Sequence, residues 1–119
     1  MRTGPTNENV KALILALRKE STTAKSALWD RIADDIEKAT RQRREVNLSR
    51  LSRNTKANET VVVPGKVLGA GILAHAVVVA ALNFSASARV QIEKASGRAI
   101  TIAELVKQNP KGKDIRVIG

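Results

Sequence analysis

Apolar residues first recur with helical spacing at Val10, Leu13, Ile14 and Leu17, the i, i+3, i+4, i+7 pattern of one buried face. Thr6 stands ahead of them as an N-cap, and Glu8 near the start with Arg18 and Lys19 near the end is the order a helix dipole favours. Ser21-Thr22-Thr23 interrupts the pattern and can cap a second helix over about 24–39, with Leu28, Ile32, Ile36 and Ala39 inward and Trp29 beside them. So short a link predicts an antiparallel helix pair. After Thr40 the periodicity is mixed: Val46-Asn47-Leu48-Ser49 alternates like a strand, while Leu48 and Leu51 keep helical spacing. From Thr60 the signals are those of strands. Val61-Val62-Val63 is β-branched and meets a turn pair, Pro64-Gly65; Lys66-Val67-Leu68 continues it; and Gly69-Ala70-Gly71 permits irregular backbone. The unbroken apolar run Ala76–Leu82 predicts a strand covered on both faces. Ser85 or Ser87 can cap a helix over about 86–96, with Gly97 suited to its C-terminal end. Thr101-Ile102-Ala103-Glu104 is a capping box that opens a short helix with Ile102, Leu105 and Val106 on one face, stopped by Asn109-Pro110. Lys111–Asp114 then turns into a last strand, Ile115–Ile118. The expected fold is α/β (α+β overall), one unit in three parts. These are a helical part at 1–40, a basic arm at 41–59 and a small layered α/β domain at 60–119 whose sheet is at least partly parallel.

Charge changes the picture most in the middle part. The 119 residues carry a net charge of +10, which favours a polyanionic partner. A hydrophobic fraction of 43% is too high for a wholly disordered chain. The segment RQRREVNLSRLSRNTK sets Arg41, Arg43, Arg44, Arg50, Arg53 and Lys56 against a single acid, Glu45. Arginine's planar fork suits phosphate, and Gln42, Asn47, Ser49, Ser52 and Asn54 can bond sugar or phosphate oxygens. Two readings follow: an anion-binding arm, or a solvated, charge-laced connector. Val46, Leu48 and Leu51 are too few to offset about 1–2 kcal/mol of backbone entropy per residue. The arm is therefore expected to dock on a core without making one, and to be ordered only on RNA. Aromatic residues are limited to Trp29 and Phe84, both expected in the core. Base stacking is thereby excluded as the main mode of binding, leaving phosphate, sugar and shape.

Other chemistry finds little support. The absence of cysteine rules out disulfides and thiolate metal sites. Met1 leads into no signal-peptide pattern, and the longest apolar run, Ile72–Leu82 with His75 inside it, is short of the about 20 residues of a membrane span. A soluble, cytoplasmic setting is expected. A helix-turn-helix reading of the front pair fails on charge, since Asp30, Asp34, Asp35 and Glu37 outnumber Lys25, Arg31 and Lys38. The acids are better read as surface ion pairs, Arg31–Asp35 and Asp34–Lys38, than as metal ligands. Gly69, Gly71 and Ala74 match the loosest dinucleotide fingerprint, but Val77-Val78-Val79 follows where a helix is required. His75 has no second histidine or cysteine with which to build a metal site. No catalytic site, cofactor or metal is expected.

RQRREVNLSRL at 41–51, VVVPGKVLG at 61–69 and NPKGKDIRVIG at 109–119 resemble the archaeal-type large-subunit ribosomal protein family called L-eighteen-e, a relative of the bacterial L-fifteen proteins. The likeness runs from the first helix to Gly119. It implies a non-catalytic component of the large ribosomal subunit, bound to its rRNA and to neighbouring ribosomal proteins. It also carries the family's RNA-facing block onto Arg41, Arg43, Arg44, Asn47, Ser49, Arg50 and Arg53. Pro64-Gly65-Lys66 and Pro110-Lys111-Gly112-Lys113 correspond to the family's turns. Lys56 of the arm and Lys66, Lys111, Lys113 and Arg116 of the α/β domain are further expected RNA contacts. The basic tail of longer eukaryotic members is not present after the last strand, and contacts made by such tails are not carried over. Two other readings are a nucleotide-binding α/β domain or enzyme using Gly69 and Gly71, and a non-ribosomal RNA-binding protein.

Overall fold

A computed structural model describes residues 4–42, 45–112 and 114–118, with the side chains of 4–9 and 39–42 left out. In chain order the elements are α1 (Gly4–Thr23), α2 (Ala27–Gln42), β1 (Glu45–Asn47), α3 (Leu48–Asn54), β2 (Glu59–Leu68), β3 (Val77–Phe84), α4 (Ala86–Lys94), β4 (Arg98–Thr101), α5 (Ile102–Gln108) and β5 (Ile115–Val117). Each strand pairing is parallel. The sheet order is β1-β2-β3-β4, and β5 also pairs with β2. β1 lies against Lys66–Leu68 and β5 against Thr60–Val62, so two strands distant in sequence share one edge of β2 end to end.

Alternation along the central strands divides the core in two, as expected of a sheet buried on both faces. Val61, Val63, Val77, Val79 and Ala81 point to one side, where α3, α4 and Leu73 cover them with Leu48, Leu51, Ala88 and Ile92. Val62 and Ala80 point to the other, against Leu17, Trp29, Ile32, Ala33, Ile36, Ile102 and Leu105 of α1, α2 and α5. The result is a three-layer α/β/α sandwich. Trp29 is fully buried, and its indole N–H donates to the Pro110 carbonyl at 2.5 Å. That bond satisfies the ring's one polar atom and ties the turn before β5 to α2.

Several expectations need correction. In the basic segment, residues 45–59 are built into the fold. Val46 pairs with Val67 in the sheet, and Val46, Leu48 and Leu51 are at most 2% exposed. They are therefore core, and hydrogen bonds to the rest of the chain order a segment that so few apolar residues could not order alone. Pro64-Gly65 is not a turn: β2 runs through it, with the register against β3 shifting between Val63 and Lys66. A proline cannot donate to the ladder, and one extra residue at a bulge absorbs the gap. Helix α1 starts before Thr6, which is inside it rather than capping it. Helix α2 starts at Ala27, later than expected, after Lys25 takes a positive φ of 55°. Within α2, Leu28 is only half-buried and Trp29 has the deeper place. The left-handed residue that ends α4 is Ser96 (φ 66°), not Gly97. The amides of Ser96 and Gly97 bond Glu93 and Ile92 carbonyls at 2.9 Å in a Schellman closure. Gly97 is needed for space instead, because a Cβ there would collide with the Val77 carbonyl. Strand β4 has no counterpart in the sequence reading. The Ser85 cap and the Thr101–Glu104 capping box form as expected.

Candidate nucleic-acid interface

Helix α3 is the structural core of the basic segment. Its inner residues Leu48 and Leu51 are fully buried, which turns Arg50 and Arg53, three apart on a helix, to solvent together. The loop that follows β2 clasps it. Ser49 N–H donates to the Ala70 carbonyl (3.2 Å), Ala74 N–H to Ser52 Oγ (3.0 Å), and Asn58 N–H to the Ala76 carbonyl (2.6 Å). Thr55 Oγ1 donates to the Leu51 carbonyl at 2.6 Å and lies 2.8 Å from His75 Nε2. With the hydroxyl's one proton committed, the imidazole N–H is the donor to Thr55. His75 is thus a strut between loop and helix.

The glycine pair has its role here. Gly71 has φ +89°, and a Cβ on it would lie 2.5 Å from that of Ser49; a Cβ on Gly69 would strike Ser87 of α4. The loop is wedged between the first turns of α3 and α4. It leads to β3 rather than to a helix, so it lacks the context a dinucleotide fingerprint requires.

Electrostatics separate the two helical layers. On α1 and α2, Arg18 bridges Asp30 (2.8 Å), Asp34 (2.9 Å) and Glu37 (2.6 Å). These three carboxylates, Glu37 foremost, raise its pKa above the ordinary arginine value. Asp34 therefore turns to α1 and not to Lys38, while Arg31–Asp35 forms at 4.0 Å. By contrast, Glu59 is the one acid between Val46 and Ile92. It accepts from the Lys56 backbone amide at 2.5 Å and from Arg116 Nε at 3.2 Å. The amide above all, and then Arg116, lowers its pKa against the opposing effect of burial. Arg50, Arg53 and Lys56 are left exposed with no carboxylate partner among the described residues.

The expected contacts do not form one patch. Asn47, Ser49, Arg50, Arg53 and Lys56 follow one another along β1, α3 and the turn after it. Lys66 is half-buried on β2 opposite Glu45. Arg116 pairs across from Val61, five residues from Lys66 along β2, or roughly 16 Å at a strand's rise of about 3.3 Å. It is matched there by Glu59, and exposed Lys111 belongs to the turn beside it. Arg41 is in the last turn of α2; its side chain, Arg43, Arg44 and Lys113 lie outside the described residues. One cation on the α3/α4 side was missed: Arg89 of α4 is exposed, its guanidinium 5.3 Å from the Phe84 ring centroid. It is a lone cation in sequence, and the signal that could have found it is the lack of any acid from Thr60 to Ile92. Trp29 and Phe84 are both buried, so neither offers a stacking platform. Among the described residues, no group of His, Cys, Asp or Glu could hold a metal ion, and no helix is long and apolar enough to cross a membrane.

Fold and surface together define a small parallel α/β sandwich with one cationic helical layer. The family model described as "Ribosomal protein 60S L18 and 50S L18e" matches residues 5–118. Curated relatives include the large ribosomal subunit protein eL18 of Methanothermobacter thermautotrophicus, 46% identical over 95% of this chain and 93% of that protein. That of Halobacterium salinarum is 44% identical over 95% and 97%. That of Sulfurisphaera tokodaii is 43% identical over 98% and 96%. The chain belongs to this ribosomal protein family.

Proposed function

We propose that the chain is a non-catalytic, structural constituent of the large ribosomal subunit that binds folded rRNA through phosphate and shape contacts. Its partners are that rRNA and neighbouring ribosomal proteins, and its place is on the cytoplasmic ribosome. The observation that carries the reading is the α3 surface: Arg50 and Arg53 are held outward on a clasped helix, in the stretch from Val46 to Ile92, whose sole acid, Glu59, is already bonded to the Lys56 backbone amide and to Arg116. Fixed cations without competing anions are what a phosphate backbone selects. With them, Asn47, Ser49 and Lys56 make the main contact, joined by Arg41, Arg43 and Arg44 as the family resemblance implies. Lys66, Lys111 and Lys113 add to it, and Arg116 adds least because it is paired.

Binding to large-subunit rRNA fragments across a salt series tests this. If most of the six basic residues at 41–56 reach phosphate, the log–log slope is on the order of −4 to −5. Arg50→Ala and Arg53→Ala each weaken binding and make the slope shallower by about 1 without altering sequence preference. Unchanged affinity and slope in both variants would refute α3 as the interface. Failure of the wild-type protein to cosediment with large subunits would refute the ribosomal role.

A further inference from the structure

Ile72 is the most exposed large apolar side chain among the described residues, at 76%, and it sits on a loop that is rigidly held. Its neighbour Leu73 is buried in the core under α3 and α4, Gly71 is pressed against Ser49, and the Ala70 carbonyl and Ala74 amide are bonded to α3. On the far side Gly69 abuts Ser87 and Ala88 at the start of α4, the helix that carries Arg89. The order across this face is therefore cation (Arg50, Arg53), a small uncharged ridge topped by Ile72, and cation again (Arg89).

Resting on the rRNA-binding reading above, we infer that the RNA-contacting surface runs from α3 over the 69–76 loop onto α4, with Ile72 packed against ribose and Arg89 on a second phosphate strand. The chemistry fits a double-helical RNA minor groove. That groove is wide and shallow and presents sugar edges between two phosphate backbones. Ala70, Gly71 and Ala74 let the ridge approach without a steric barrier. Arg89 is steadied by the Phe84 ring, an arrangement that holds a guanidinium without neutralising it. The loop and α4 as far as Ile92 carry no acid to oppose an RNA strand, and the first one, exposed Glu93, stands a turn beyond Arg89. A protein partner for Ile72 would not require that exclusion.

Affinity of the full chain for large-subunit rRNA is measured across a salt series for wild type, Ile72→Ser, Ile72→Leu and Arg89→Gln, with thermal unfolding alongside. Ile72→Ser should weaken binding by about tenfold, the equivalent of losing part of an isoleucine's burial, with an unchanged salt slope and Tm. Ile72→Leu should bind nearly as wild type. Arg89→Gln should make the slope shallower by about 0.9. If both Ile72→Ser and Arg89→Gln bind as wild type while Arg50→Ala is weakened, the inference is overturned and the α3 interface stands. An Ile72→Ser protein that binds rRNA normally but fails to enter subunits also overturns it, assigning Ile72 to a protein neighbour. Wild-type protein that does not bind rRNA removes the underlying reading itself.

Discussion

The two helical layers solve different problems on one sheet. The α1/α2/α5 layer is thick and ties up the acids of α2: three carboxylates converge on Arg18, Asp35 meets Arg31, and Trp29 with its bond to Pro110 anchors the packing. The α3/α4 layer has helices of seven and nine residues and leaves Arg50, Arg53 and Arg89 without a carboxylate partner among the described residues, with backbone–loop bonds and glycine-tight contacts added to its core. Each side of the sheet thus has its own buried core, while among the described residues the acids of α2 are gathered on one side and the unmatched cations of α3 and α4 stand on the other. A surface meant for a polyanion cannot also satisfy its cations internally, so its rigidity has to come from uncharged hydrogen bonds.

Core truncation gives the largest effect. Trp29→Ala should destabilise by about 3–5 kcal/mol, and Leu51→Ala on the opposite layer by about 2–5 kcal/mol, read from urea midpoints. If the layers differ as argued, Leu51→Ala also lowers rRNA affinity beyond its fraction unfolded, and Trp29→Ala does not. Next, Gly71→Ala meets both a positive φ and the Ser49 backbone. It should cost on the order of 1–3 kcal/mol and open 48–58 to limited proteolysis; a resistant segment would mean the loop does not clasp α3. Smaller still is a charge control. Removing exposed Lys107 of α5 should leave the salt slope of binding alone, whereas removing Arg53 should change it by about 1; equal effects would erase the distinction between layers. The smallest effect is on pH dependence. Glu59 has a folded pKa below its unfolded value. Its contribution is therefore present above that value and is lost as pH falls through the folded pKa. Glu59→Gln should flatten the acid limb of a Tm–pH curve and leave a slightly lower plateau at neutral pH.

What could be read in advance follows the range of the forces involved. The helix pair, Ser85 as a cap, the Thr101–Glu104 box and the apolar strand near 77–84 are written in local spacing, and local spacing is what a sequence displays. Strand β1, helix α3 and strand β4 are short. Val46 is a strand residue because Val67 lies beside it, and Leu48 and Leu51 are helical because α3 has a sheet face to cover. Pro64-Gly65 carries a strong turn signal that the ladder on both sides overrides with a bulge. At the interface, Arg50, Arg53 and Lys56 were legible as charges, but their anchoring was not, since it depends on Ala70, Ala74 and His75 some twenty residues on. Arg89 stands in no charge run, and Ile72 is in sequence only part of an apolar run and a glycine fingerprint, so neither was legible as a surface feature.

The shared edge of β2 also sets a timetable for biogenesis. Val61 and Val62 are paired on that side by Arg116 and Val117, and those residues are synthesised last among the strands. At about 5–20 residues per second, the 55 positions from Val62 to Val117 take roughly 3–11 s to translate. Throughout that interval a β-branched strand has an open edge, the form of backbone that recruits other chains. Parallel pairings between distant segments close slowly in any case. A nascent chain of this fold therefore needs protection for its central strand until residue 117 has left the exit tunnel.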